Sequence, residues 1–186
     1  LLILGFFLGS IPFGYLIARG KGINIKKVGS GATGATNISR AMGFKWAVLV
    51  AVLDVLKAAI PVCLALQSLT SEWQIALICL APVIGHIFTP WLKFKGGKGI
   101  ACFVPALVIF SGWWFILIIS VWLILLKKTK LMGMNNLIIL FFVPFIFWLN
   151  THSQTYFILG IIFFLIVLWS HRENVYRLYN KEELKL

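Results

Sequence analysis

Three short polar strings stand out in an otherwise oily sequence, and each holds residue types fit for handling an anion such as phosphate. The first is Val28-Gly29-Ser30-Gly31-Ala32-Thr33-Gly34-Ala35-Thr36-Asn37-Ile38-Ser39-Arg40. Its glycines free the backbone to curl and turn N–H groups toward an anion. Ser30, Thr33, Thr36 and Asn37 add short side-chain donors. A helix that starts at Thr33 or Thr36 and runs to Gly43 sets its positive end against the same loop. Arg40 then falls about one turn on, and its planar fork suits phosphate. The string lacks the Gly-Lys-Ser/Thr of a Walker loop and the strand-then-helix setting of a dinucleotide site. A flexible polar loop with an ordinary helix cap accounts for the same spacing.

The second string is Lys93-Phe94-Lys95-Gly96-Gly97-Lys98-Gly99, between two apolar stretches. Glycine permits close backbone approach and lysine supplies point charge. A basic turn that anchors helix ends is the alternative. The third is His171-Arg172-Glu173-Asn174, at the end of the last apolar stretch. If the helix continues, His171 and Asn174 share a face, and a histidine there moves protons or donates to an anion. The alternative is a helix end meeting water. Asp54 and Lys57, three apart in an apolar run, are suited to pair inside the membrane. His86 reads as a hydrogen-bonded packing residue, and His152 as a loop residue.

The elements that carry these strings belong in a bilayer. The chain is 61% hydrophobic and 12% charged, with mean hydropathy +0.98. A soluble domain has ~25% charged residues, and a fold of this size cannot hide so much apolar surface from water. Seven apolar stretches are expected as helices: roughly 1–18, 46–67, 73–92, 100–110, 113–126, 134–149 and 155–170. The sequence begins at Leu1 rather than Met, so a short preceding piece is expected. Leu1–Ile17 reads as a membrane segment and not a removable signal, because no basic residues precede it and no small-residue cleavage site follows. Pro61, Pro82, Pro105 and Pro144 suggest kinks.

Charge decides the topology. The chain has 17 Lys and Arg against 5 Asp and Glu. Every basic residue except Lys57 falls in Arg19–Lys45, Lys93–Lys98, Lys127–Lys130 or the tail from Arg172 to Lys185. If 100–126 turns back near Ser111–Gly112, all four clusters share one side, as the positive-inside rule favours. The expectation is an all-α polytopic bundle, one domain over residues 1–186, crossing seven times with the N-terminus outside and the C-terminus in the cytoplasm. The three polar strings then converge on the cytoplasmic face. Nucleic acid is not expected as a partner, because the basic residues are tied to membrane segments. Cys63, Cys79 and Cys102 lie scattered in apolar runs without metal-ligand spacing, so neither a metal nor a cofactor is called for.

Taken together, Gly9-Ser10-Ile11-Pro12-Phe13-Gly14-Tyr15, GSGATGATNISR, FKGGKG and HREN resemble the motifs of the bacterial acyl-phosphate:glycerol-3-phosphate acyltransferases, in order and spacing over nearly the whole chain. The resemblance implies transfer of a fatty acyl group from acyl phosphate to the 1-hydroxyl of glycerol 3-phosphate. The products are lysophosphatidic acid and phosphate. It implies the bacterial inner membrane, contact with membrane lipid, and supply of acyl phosphate by a phosphate acyltransferase. Matched by position, Ser30, Arg40, His171 and Asn174 are expected in the catalytic role. Gly29, Gly31, Thr36, Asn37, Gly96, Gly97 and Lys98 are expected to bind substrate, the last three matching the motif that the resemblance links to glycerol phosphate. His171 either deprotonates the attacking hydroxyl or only binds. One position departs: Ala32 stands where the family usually has Asn. A transporter of phosphate esters and a non-catalytic lipid-binding relative are the competing readings, though no internal repeat supports transport.

Overall fold

The computed structural model describes residues 1–185, and among them every regular element is helical. The helices are α1 (Leu2–Ser10), α2 (Phe13–Gly20), α3 (Ala35–Met42), α4 (Phe44–Ser68), α5 (Glu72–Ile87), α6 (Ile100–Ser111), α7 (Trp114–Thr129), α8 (Met132–Thr151), α9 (Gln154–Ser170) and α10 (Arg172–Tyr179). Short 3-10 turns lie at Ile25–Lys27 and Pro90–Leu92. The chain divides into two compact units, one over Leu1–Pro105 and one from Ala106 onward. Each of the seven expected apolar stretches is mostly helical, though 1–18 is split into α1 and α2 and 73–92 leaves the α-helix after Ile87. Four runs have the length and hydropathy to cross a bilayer: Leu2–Gly20, Phe44–Ser68, Glu72–Leu92 and Met132–Thr151. Taking α9 and α10 as one bent span makes five. α6 and α7, at 12 and 16 residues, fall short of the ~20 that a full crossing needs. The break between them falls at Gly112, whose φ is +53°.

Helix breaks follow backbone chemistry. Pro61, Pro82, Pro105 and Pro144 each sit inside a continuous helix. The chain breaks instead at Ile11–Pro12, where Ile11 is extended (ψ 117°), as the residue before proline prefers. A broken helix in lipid leaves carbonyls that need partners. Thr89 Oγ1 donates to the Ser10 carbonyl at 2.6 Å. Lys57 Nζ donates to the Ile11 carbonyl at 2.7 Å.

In the first unit α1 packs on α4 and α5, and α4 also carries α2 and α3. The α1–α5 contact is backbone on backbone. A Cβ at Gly9 would strike the Pro82 backbone, and one at Gly85 would strike the Phe6 carbonyl. Small residues permit such approach between membrane helices. In the second unit α8 pairs with α9, and α7 and α10 lie on α8. A Cβ at Gly160 would come 2.7 Å from Pro144 Cα. Outer faces remain apolar: Leu56, Ile60, Phe141, Phe145 and Leu165 are about half exposed while Asp54, Lys57 and Asn135 are buried. That inversion fits a protein solvated by lipid.

Adding one methyl at Gly85 is expected to cost about 1–3 kcal/mol, the usual penalty for overpacking. Gly85→Ala should therefore lower the midpoint of thermal unfolding in detergent. Gly20→Ala, with no atom within 4 Å of the new Cβ, should leave it in place. Equal midpoints for the two variants would contradict the close α1–α5 contact.

Candidate active site

The first glycine loop stands on a small apolar core of Ala18, Ile25, Ile38, Ala47 and Val50. α2 backs directly on it, since a Cβ at Gly14 would strike the Thr33 carbonyl oxygen. Asn37 organises the loop. It is 1% exposed, and its Nδ2 donates to the carbonyls of Val28 and Ala32, both at 2.9 Å. A longer contact of 3.4 Å reaches the Ile25 carbonyl, and Oδ1 accepts the Ser30 N–H at 3.1 Å. Winding the chain around one amide needs left-handed backbone at Gly29 (φ +53°) and Gly31 (φ +66°), which glycine adopts without strain. Ser30 and Thr36 stay half-exposed at the rim. The Ser30 hydroxyl has no protein partner among the described residues. α3 begins at Ala35 with Gly34 as its N-cap, rather than at Thr33 or Thr36. Arg40, in its last turn, lays Cδ 3.5 Å from where a Gly29 Cβ would stand.

Two expectations change here. The Asn37 amide is turned inward to the loop's own carbonyls. The N–H groups of Ser30 and Gly31 are also internal, the latter donating to the Val28 carbonyl at 2.9 Å. The loop therefore offers an anion side chains and its remaining amides, not a full cradle.

The second glycine loop folds back on the C-terminal end of α5. The N–H groups of Phe94, Gly96 and Gly97 donate to the carbonyls of Thr89, Ile87 and His86 at 3.0, 2.9 and 3.0 Å. The Gly96 and Gly97 N–H groups thereby satisfy helix-end carbonyls that have no partner inside α5. Lys98 follows at once, half-buried. The two loops meet through Lys26, whose Nζ donates to the Lys95 carbonyl at 2.5 Å. Beneath them lies a buried charge cluster. Lys57 Nζ is 2.7 Å from Asp54 Oδ1 and 2.9 Å from His86 Nδ1, so the expected Asp54–Lys57 pair forms. Donor atoms of Asp54, His86 and Cys102 lie within 4.8 Å of one another. This is a metal-like grouping that sequence spacing did not reveal, but the Lys57 ammonium already supplies its cation.

In the second unit the chain bends by 59° at the third string, between α9 and α10. His171 sits at the bend, yet both His171 (1% exposed) and Asn174 (6%) remain buried. His171 Nδ1 lies 2.9 Å from the Val167 carbonyl. A carbonyl only accepts, so Nδ1 carries the proton and Nε2 keeps its lone pair in the neutral ring. Asn174 Nδ2 donates to Glu183 Oε1 at 2.5 Å, and Glu183 is also paired with Arg177 at 3.2 Å. Glu183 was not foreseen, since nine residues separate it from Asn174 and no motif marks it. Glu173 is largely exposed, 3.8 Å from Arg177, a surface pair worth little. His152 ends α8, exposed.

Burial, and secondarily the charge of Lys95, hold the Lys26 ammonium below the usual 10.5. A group whose folded pKa is lowered destabilises the fold fully below that value, and the penalty fades as pH rises toward 10.5. Lys95→Ala should move Lys26 only part of the way back, because burial is the larger cause. A 13C NMR titration of the lysine Cε, assigned with Lys26→Arg, checks this. An unchanged Lys26 titration in Lys95→Ala would separate the two side chains.

Residues 1–181 match the family model for glycerol-3-phosphate acyltransferase. A glycerol-3-phosphate acyltransferase of Prochlorococcus marinus is 36% identical over 191 residues, covering 100% of this chain and 96% of that protein. One from Rubrobacter xylanophilus is 35% identical and covers 100% and 93%. The fold is similar to the crystal structure of PlsY, an integral membrane glycerol 3-phosphate acyltransferase, in its glycerol 3-phosphate form. The TM-score is 0.93 at 32% identity, covering 100% of this chain and 93% of that one. Its lysophosphatidic acid form gives a TM-score of 0.90 at 31% identity over the same shares. Matched from end to end in sequence and fold, this chain belongs to the glycerol-3-phosphate acyltransferase family of integral membrane proteins.

Proposed function

We propose that this chain transfers a fatty acyl group from acyl phosphate to the 1-hydroxyl of glycerol 3-phosphate, releasing lysophosphatidic acid and phosphate. The observation that carries the reading is the Lys26–Lys95 contact, which ties the turn leading into the first glycine loop to the second loop, so that Arg40 on α3 and Lys98 after Gly97 belong to one unit. Both substrates are phosphate monoanions or dianions, and close approach of two such groups demands fixed positive charge. Ser30, Arg40 and Lys98 bind phosphate, with Gly29, Gly31, Thr36, Gly96 and Gly97 shaping the loops and Asn37 holding the first of them. The whole of residues 1–186 acts as one membrane domain in the bacterial inner membrane. It crosses seven times, with the N-terminus outside and the site at the cytoplasmic face. Support for that topology comes from the clustering of basic residues and from the break at Gly112. A phosphate acyltransferase supplies the donor.

Acyl phosphate is a mixed anhydride, so a covalent enzyme intermediate is not needed. The hydroxyl oxygen bonds to the acyl carbon, the bond from that carbon to the phosphate oxygen breaks, and phosphate leaves with its electron pair. The hydroxyl proton goes either to His171 Nε2 or to a phosphate oxygen. Most of the acceleration then comes from positioning and charge stabilisation.

Purified protein with palmitoyl phosphate should release phosphate only when glycerol 3-phosphate is present, and Arg40→Ala should lose the release. A folded protein without glycerol-dependent release would sink the acyl-transfer reading. His171→Gln should lower turnover by about 10²–10⁴-fold if Nε2 takes the proton; full turnover would assign the proton to phosphate. Ala32→Asn restores a polar group beside the Asn37-bound carbonyl. It should raise turnover by about 10–100-fold, the weight of one charge-assisted hydrogen bond.

A further inference from the structure

His86 touches the second glycine loop from two directions. Its carbonyl accepts the Gly97 N–H at 3.0 Å. Its ring makes the other contact: a Cβ on Gly97 would strike Nε2, with Cε1 at 2.8 Å and Cδ2 at 2.9 Å. Gly97 is absent from the positive-φ glycines, so backbone conformation does not demand glycine there. The imidazole does. Nor is the ring loose. Nδ1 lies 2.9 Å from Lys57 Nζ, and an ammonium only donates, so Nδ1 accepts and Nε2 bears the proton. Lys57 is fixed in turn by Asp54 Oδ1 and by the Ile11 carbonyl, both at 2.7 Å. A buried chain from Asp54 through Lys57 thus sets the tautomer and place of His86, and the ring presses on the residue just before Lys98.

We infer that His86 is a positioning residue for acyl transfer: its Lys57-held ring is the seat of Gly97 and fixes the backbone that carries Lys98. The inference rests on the proposed function and assigns Gly97 to the protein's own imidazole rather than to substrate approach. Cys102 Sγ, 3.4 Å from the Asp54 carbonyl, closes the cluster from α6.

A double-mutant cycle between His86 and Gly97 tests it, read in Tm and in the KM values for glycerol 3-phosphate and palmitoyl phosphate. Gly97→Ala puts a methyl into the ring. Tm should fall, and KM for glycerol 3-phosphate should rise by about tenfold or more, with a smaller change for palmitoyl phosphate. His86→Asn keeps an acceptor for Lys57 on Oδ1 but withdraws the ring. In the double variant the harm done by Gly97→Ala should shrink, by about tenfold in that KM. His86→Ala serves the same cycle should the Asn variant fail to fold. Equal harm with and without the ring overturns the seat. Coupling in Tm alone, with KM for glycerol 3-phosphate unmoved, reduces His86 to a structural residue and also overturns it. A wild-type protein without glycerol-dependent turnover removes the proposed function and the positioning role with it, while the Tm cycle still decides the contact.

Discussion

The Lys57 ammonium holds the first unit together. It is ion-paired with the Asp54 carboxylate and hydrogen-bonded to two acceptors, the Ile11 carbonyl and His86 Nδ1. Those partners come from α4, from the break between α1 and α2, and from α5. Burying a charge pair is expensive in itself, and such pairs add little net stability when a hydrophobic substitute fits. Here the substitute does not fit. Pro12 breaks the first membrane helix, and a freed carbonyl in lipid must find a donor. An apolar side chain at position 57 would leave a carbonyl, a carboxylate and a ring nitrogen unsatisfied together. The Phe13 ring, 5.6 Å away, adds its face to the same cation.

Glycine serves three separate physical purposes in this chain, and composition alone merges them. Gly29 and Gly31 are needed for left-handed backbone. Gly9 and Gly85 let two helices approach backbone to backbone. Gly97 makes room for an imidazole. Only the first pair fits the usual picture of a glycine-rich anion loop. Even there, the winding serves a buried asparagine as much as a ligand.

This explains which parts were legible in the sequence. Apolar length located the long membrane helices, because lipid imposes one hydropathy rule on them, but not the short polar α3 and α10 or the break that splits 1–18. The Asp54–Lys57 pair was legible because three-residue spacing on a helix is a local fact. Contacts that close over long separations were not. Lys26 reaches Lys95 across 69 positions and Lys57 reaches His86 across 29, and no spacing rule ties a side chain to a distant carbonyl. Asn37 was visible as a donor, but whether a short amide faces in or out depends on which carbonyls the loop leaves bare. The bend at His171 was likewise hidden. The helical pattern runs through it, and both His171 and Asn174 stay buried across it.

The positive charge has two explanations, topology and anionic substrates, and the structure separates residues between them. Lys127 and Lys128 end α7 and are exposed, where their role needs no more than the positive-inside rule. Lys26 is half-buried and donates to a carbonyl, so it braces the loops. Arg40 and Lys98 differ from both: Arg40 sits in the last turn of α3, three residues past the buried Asn37, and Lys98 directly follows Gly97, which rests on the buried His86 ring. A flexible surface lysine attracts phosphate and loses side-chain freedom in binding it. A cation on a braced backbone has lost part of that freedom beforehand, so more of its attraction remains for the transition state. On the proposed reaction, the buried asparagine and the buried imidazole are therefore as much a part of catalysis as the charges they hold in place.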